Sequence, residues 1–298
     1  MVTIPHPTLP EFDYIRPKTL AEASYFLAEH GPEARAFSGG TDVFVRMRDG
    51  ALPPKFLVDV KNLDGMRDLR FDPLSGLIIG AAVSMNAVIS APEVQAHYPL
   101  LAEACRSVAS YQLRTRATIA GNICNASPAG DSIGACLALD ASLCIHGTAG
   151  ARRETLAGFF LGPGKTRLQP GDIVTAVCLP PPPPGCAGVY LKLGRNRLSD
   201  LSIVGLAALG SPNSDCPSGY RFRIVLASVA PVPLVAGRAE AYLAEHPATP
   251  DAFRQAAQLA YEECAPIDDV RSSARYRKLM VRNLTESALS QVWQALHP

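Results

Sequence analysis

The sequence predicts an α+β protein of two domains, on three observations. Strand-like and helix-like stretches alternate through the first 180 residues. Five consecutive prolines, Pro180 to Pro184, then form a stiff extended linker, because no helix or central strand accommodates them. Beyond them a block of strands precedes a block of helices, the order expected of a small α+β unit. The 298 residues suffice for two cores. The boundary is placed at the prolines, giving domains at 1–180 and 186–298, and no internal repeat is found.

The elements follow in order. Thr19-Leu20-Ala21-Glu22 has the form of a capping box, and Leu20, Ala23, Phe26 and Leu27 continue at helical spacing to a C-terminal Gly31. Ala34 to Ser38 reads as a strand running into Gly39-Gly40. Thr41-Asp42 opens a helix carrying Val43, Phe44 and Met47. Phe56 to Val60 and Leu77 to Ala81 are strands, and Ser84 caps the short helix that follows. Leu100 to Val108 is helical, Ser110 to Thr118 polar, Asp131 to Leu139 helical, and Ala141 to His146 and Ile173 to Leu179 are strands. After the prolines, Gly188 to Leu193, Leu201 to Leu209 and Tyr220 to Ala227 read as antiparallel strands. Helices are expected at Ala236 to Glu245, Pro250 to Cys264 and Ser273 to Ala295.

Composition excludes several classes of function. Apolar residues make up 48% and charged residues 18%, and the net charge of +1 is not that of a general nucleic-acid binder. No apolar run is long enough to span a membrane. The N-terminus lacks the basic start and apolar stretch of a secretory signal, so a cytoplasmic protein is expected. The eight cysteines form no Cys-x-x-Cys pair and read as buried reduced thiols. With the six histidines also scattered, no metal site is expected on this chain.

Two segments carry the candidate chemistry. In Ala36-Phe37-Ser38-Gly39-Gly40-Thr41-Asp42-Val43 a strand, two glycines and a helix start can bind an anion, because glycine lets a ligand approach exposed backbone amides. The same pattern also serves as a plain turn. The second segment, Thr118-Ile119-Ala120-Gly121-Asn122 through Asn125 to Asp131, is poor in bulk and rich in hydrogen-bonding groups. It suits a loop around a polar ligand, with Asp131 accepting from sugar hydroxyls. The alternative is an ordinary surface loop with Asp131 capping the next helix. Gly162-Pro163-Gly164-Lys165-Thr166 imitates the end of a phosphate-binding loop, but Phe159 stands where that motif requires glycine, and Pro163 has no amide to donate.

Taken together, these segments resemble the FAD-binding medium subunit of the xanthine dehydrogenase and carbon monoxide dehydrogenase family of molybdenum hydroxylases. The resemblance starts at Phe12-Asp13-Tyr14-Ile15-Arg16-Pro17 and runs through both segments. It continues through Gly171-Asp172-Ile173-Val174 and Tyr190-Leu191-Lys192-Leu193-Gly194-Arg195 to Asp268-Asp269-Val270-Arg271-Ser272-Ser273-Ala274-Arg275-Tyr276-Arg277. It implies a two-lobed FAD-binding domain of the vanillyl-alcohol-oxidase (PCMH) type, with lobes at about 1–58 and 59–180, and then the small α+β C-terminal domain. It implies that Ala36 to Val43 and Thr118 to Asn122 hold the FAD pyrophosphate through their amides. Asn125 and Asp131 would sit on the ribityl, ribose or phosphate part, Val174 on the adenine side, and Lys192 and Tyr190 near the isoalloxazine ring. Ala120 stands where many relatives have glycine, which the turn tolerates if φ is negative there. No cysteine-rich insertion for an extra cluster is present, so FAD is the one cofactor expected on this chain.

The resemblance also implies partners. A large subunit would carry the molybdenum cofactor and a small subunit two [2Fe–2S] clusters, with a dimer of heterotrimers as one assembly it allows. Electrons would pass from the clusters to FAD and on to an external acceptor. The partner-facing surface is expected near the flavin edge, at 185–197 and the loop before Arg114. No catalytic residue is expected on this chain, which shows no nucleophile–base or paired-carboxylate pattern. The alternatives are a free-standing flavin oxidase with its own substrate pocket and a nucleotide-binding module without flavin.

Overall fold

The structure, a computed structural model, describes residues 9–50, 54–196 and 199–297. The first eight residues, part of the stretch read as lacking a secretory signal, lie outside them, as does Arg197 of the expected partner surface.

The first lobe is built from β1 (Asp13–Ile15), α1 (Leu20–His30), β2 (Ala34–Phe37), α2 (Val43–Arg48) and β3 (Phe56–Asp59). Its three strands run parallel in the order β1-β3-β2, which requires the helical crossovers between them. Thr19 caps α1 by accepting from the Glu22 amide at 3.1 Å. The Glu22 carboxylate, however, accepts from the Lys18 amide at 2.7 Å, one residue before the amide a capping box uses. Buried Ser24 of α1 donates to the Gly171 carbonyl at 2.7 Å and ties this lobe to the next.

The second lobe contains β4 (Leu69–Asp72), β5 (Gly76–Gly80), α3 (Met85–Ser90), α4 (Pro92–His97), α5 (Pro99–Ser107), α6 (Tyr111–Arg114), α7 (Ile119–Asn125), α8 (Asp131–Ala138), β6 (Ser142–Gly147) and β7 (Gly150–Thr155). The small hairpin β8 (Phe160–Gly162) and β9 (Lys165–Thr166), then β10 (Ile173–Leu179), complete it. Its antiparallel sheet has the order β4-β5-β10-β6-β7. Leu143, Ile145, Val177 and Ile79 from the sheet meet Leu101, Ile123 and Ile133 from the helices in one core. Gly162 ends the first strand of a hairpin, Pro163 and Gly164 form its turn, with Gly164 at φ +70°, and Lys165-Thr166 is its second strand. The expected loop over 118–131 is instead interrupted by α7, with Thr118 as its N-cap, accepting from the Gly121 amide at 2.9 Å.

The proline linker is held against the first domain. The Tyr98 hydroxyl donates to the Pro180 carbonyl at 2.9 Å, and burial pushes this phenol up to about 12. The chain then enters β11 (Ala187–Leu193), β12 (Val204–Pro212), β13 (Tyr220–Ala227) and β14 (Leu234–Val235), an antiparallel sheet in sequence order. It closes with α9 (Gly237–Glu245), α10 (Pro250–Glu263) and α11 (Ala274–Leu296). β12 begins three residues later than expected, because the Ile203 carbonyl is taken by the Arg277 guanidinium at 2.7 Å.

This sheet is buried on both faces, with the period of two that a strand imposes. Val204, Leu206 and Ala208 pack under the helices, whereas Ala207 and Leu209 join the core of the first domain. The contact with α5 and α8 makes the two domains one packed body. Among the described residues no helix is long and apolar enough to cross a membrane. Of the cysteines, 105, 136, 178 and 264 are buried, but Cys124 is exposed, against the expectation for all eight.

Candidate cofactor site

The turn after β2 packs directly on the strand-like segment before α7. A Cβ on Gly39 would lie 2.3 Å from the Arg116 carbonyl oxygen, so the two lobes meet here through backbone. Gly40 has φ +76°, and a Cβ there would lie 2.5 Å from the Phe37 ring. Both glycines are therefore demanded by the protein's own packing. Ser38 is fixed from the other side by donating to the Ala81 carbonyl at 3.2 Å.

Two hollows adjoin at Ser38, Gly39 and Thr118. One is lined by Ser38 to Val43 from the first lobe and by Thr118, Gly121, Asn122 and Asn125 from the second. The other is bordered by Lys61, Arg67 and Arg116. The amides of Gly39, Gly40, Thr41 and Asp42 donate to no acceptor among the described residues. α2 has six residues and α7 seven, so what this turn offers an anion is its free amides rather than a helix dipole. Such a row of donors in a cleft fits a diphosphate group.

Charges are arranged unevenly around the cleft. Lys61 pairs with Asp59 at 2.6 Å and donates to the Tyr14 hydroxyl at 3.0 Å. Burial would raise the Asp59 carboxyl, but hydrogen bonds from Lys61 and Tyr14 outweigh it and hold the group below the usual aspartate range. Arg35 and Arg46 border the first hollow, and among the described residues neither forms an ion pair.

Asp131, Tyr190 and Lys192 are brought together away from the cleft lining. The Asp131 carboxylate is buried and accepts from the Tyr190 hydroxyl at 2.8 Å, from Lys192 Nζ at 2.7 Å and from the Ser202 hydroxyl. Lys192 also donates to the Ser107 carbonyl at 2.8 Å. Burial, reinforced by the Asp131 charge, raises the Tyr190 phenol well above its ordinary value and keeps it neutral. Asp131 is not the helix cap that the residue-level alternative expected: Gly130 is the N-cap of α8, and no side chain caps it. The cluster touches the cleft through Ser132, which donates to Asn122 Oδ1 at 2.8 Å and leaves the Asn122 amide nitrogen to donate elsewhere.

Other expected site residues are not side-chain lining. Ala36 and Phe37 belong to β2, and Ile119 and Ala120 are buried on the inner side of α7. Ala120 is absent from the positive-φ residues, as the alanine requires. Val174 lies buried in β10 opposite Ile145. Three participants were missed in the sequence. Arg35 and Arg46 are isolated arginines, indistinguishable by pattern from solvated ones. Ser202 lies in a stretch read as strand.

The sequence matches the FAD binding domain in molybdopterin dehydrogenase over residues 10–182. It matches the CO dehydrogenase flavoprotein C-terminal domain over 189–292. These define a flavoprotein of the molybdopterin dehydrogenase type. The chain is 32% identical to the carbon monoxide dehydrogenase medium chain of Hydrogenophaga pseudoflava, covering 95% of this chain and 98% of that one. It is 30% identical to the xanthine dehydrogenase FAD-binding subunit of Escherichia coli O157:H7, covering 93% and 94%. The solved Hydrogenophaga pseudoflava carbon monoxide dehydrogenase lacking the Mo-pyranopterin moiety superposes with a TM-score of 0.92 at 32% identity, over 97% of this chain and 99% of that one. Quinoline 2-oxidoreductase from Pseudomonas putida 86 does so with a TM-score of 0.89 at 25% identity, over 98% and 100%. The chain belongs to the FAD-binding medium subunits of the molybdenum hydroxylase family, a family of oxidoreductases. The amide-lined cleft fits the FAD of that family.

Proposed function

We propose that this chain holds FAD in the cleft between its lobes and serves as the electron-transfer subunit of a molybdenum hydroxylase complex. The observation that carries this reading is the row of four free amides at Gly39 to Asp42, facing Thr118, Gly121, Asn122 and Asn125 across the cleft. Those amides bind the diphosphate, and the Asn122 and Asn125 side chains orient the sugar part. Ala36, Phe37, Val43, Ile119, Ala120 and Val174 act through backbone position and packing. Asp131, Tyr190 and Lys192 hold the second domain against the cleft, so that this wall is fixed before the cofactor arrives.

Bound FAD supplies the redox chemistry, accepting electrons and releasing them to an acceptor. The chain's own residues bind and orient, and none is asked to move a substrate proton. Electrons enter from [2Fe–2S] clusters on a small partner subunit, and substrate is oxidised at molybdenum on a large one. The relatives that are medium chains of dehydrogenases support this division. The assembly is a cytoplasmic complex, with a dimer of heterotrimers as its form. Titration of the purified full chain with FAD and FMN tests the cofactor reading. FAD binds and FMN binds far more weakly, because FMN lacks the diphosphate that the amides hold; equal affinities contradict the site.

A further inference from the structure

Arg35 and Arg46 approach the same hollow from different elements, Arg35 from β2 and Arg46 from the last turn of α2. Burial, and secondarily the positive charge of Arg46, lower the Arg35 pKa, so the two guanidiniums feel each other. Among the described residues neither meets a carboxylate within 4.0 Å, although Asp42 also borders the hollow. Two like charges held at one cleft and paired with no carboxylate are relieved by an anion. The same hollow is lined by the turn whose amides are free. A diphosphate offers several acceptor oxygens and two negative charges, matching two guanidinium forks better than a single carboxylate does.

We propose that Arg35 and Arg46 form a two-arginine clamp for a dinucleotide's diphosphate. This rests on the cleft being the cofactor site. Two sources present that chemistry: the FAD held in the cleft, or a dinucleotide electron acceptor docking at its mouth. The clamp adds charge-assisted contacts to those of the backbone, so each arginine is worth roughly 10- to 100-fold in affinity for its diphosphate.

The test titrates the full-length chain and its Arg35→Gln and Arg46→Gln variants with FAD and riboflavin, following flavin fluorescence, with circular dichroism as the check on folding. The FAD-loaded proteins are then titrated with NAD⁺, and the flavin-free proteins with inorganic diphosphate. If the clamp serves FAD, both variants lose FAD affinity by roughly 10-fold or more while riboflavin binding is unchanged. If it serves the acceptor, FAD affinity holds and NAD⁺ binding weakens in both. Arg→Lys variants restore part of the loss in either case, because charge is kept while the fork is lost. Folded variants that bind FAD, NAD⁺ and diphosphate like the wild type overturn the clamp. A wild-type chain that takes no flavin overturns the cofactor reading instead. The clamp then stands or falls on whether the variants lose inorganic diphosphate.

Discussion

At Asp131, donors from one strand, β11, and from a loop of the second domain converge on a carboxylate 5% exposed at the start of α8. Removing it strands the Lys192 ammonium and the Tyr190 hydroxyl in a buried space. Asp131→Ala should therefore cost about 3–5 kcal/mol of stability, the range for breaking one side of a buried pair. A urea-unfolding midpoint equal to wild type would count against the cluster as a domain fastening. Asp269 makes a second such point, accepting from Arg271 at 2.6 Å and Arg277 at 2.7 Å. Burial would raise its carboxyl, but these bonds hold it well below the usual range. A depressed folded-state pKa gives stability that is complete above the unfolded value of about 4 and is lost as pH falls through the folded one. The stability gap between wild type and Asp269→Asn should accordingly shrink on acidification below about pH 4. A gap constant from pH 7 to pH 3 would contradict the assignment. The resemblance singled out Asp131, Tyr190 and Lys192 as cofactor contacts, whereas the structure gathers them into a buried cluster away from the cleft lining. Their mutual contact was not legible in the sequence, because 59 and 61 residues of chain separate Asp131 from its partners.

Among the elements, α7 presents the sharpest contrast between sequence and structure. Its run of Gly, Asn, Cys and Ala reads as loop by composition, yet Thr118 caps it and Ile119, Ala120 and Ile123 bury its inner face. Three apolar residues in seven leave too short a pattern to signal a helix, and tertiary burial decides. Thr118→Ala should destabilise the chain by about 1 kcal/mol through the lost cap. It should also weaken FAD, since α7 carries Gly121, Asn122 and Asn125 to the cleft. Serine at that position restores both, and a variant with unchanged melting temperature would contradict the role of the cap. Edge strands were harder to read than central ones. β7, Gly-Ala-Arg-Arg-Glu-Thr, has no apolar face because it borders the sheet, whereas β5 and β10 carry continuous apolar runs. The turn at Gly39-Gly40 was read correctly as a special backbone, but part of its cause differs. The missing side chains make room for Arg116 and Phe37, so a bulky residue there disrupts lobe packing whether or not a ligand is near.

Across the whole molecule, the second domain's sheet is sandwiched between its own helices and the core of the first domain. Alternation within β12 encodes that arrangement, but both alternating sets are apolar, so the sequence showed a buried strand without showing what covered each face. The order of the long strands and helices after the prolines was legible because each is long and periodic, whereas the two-residue β14 left no pattern to read. The packing of one domain on the other was not legible, since it depends on α5 and α8, far away in the chain. This rigid wall beside an amide-lined cleft is suited to hold FAD at a fixed place. The most direct test isolates the native assembly through a tag on this chain, measures its FAD, iron and molybdenum, and follows the flavin spectrum as substrate is added. FAD, iron and molybdenum should co-purify, and the flavin should bleach with substrate only when the iron- and molybdenum-bearing chains are present. A flavin that substrate bleaches in this chain alone, or an assembly free of iron and molybdenum, would contradict the proposed electron-transfer role.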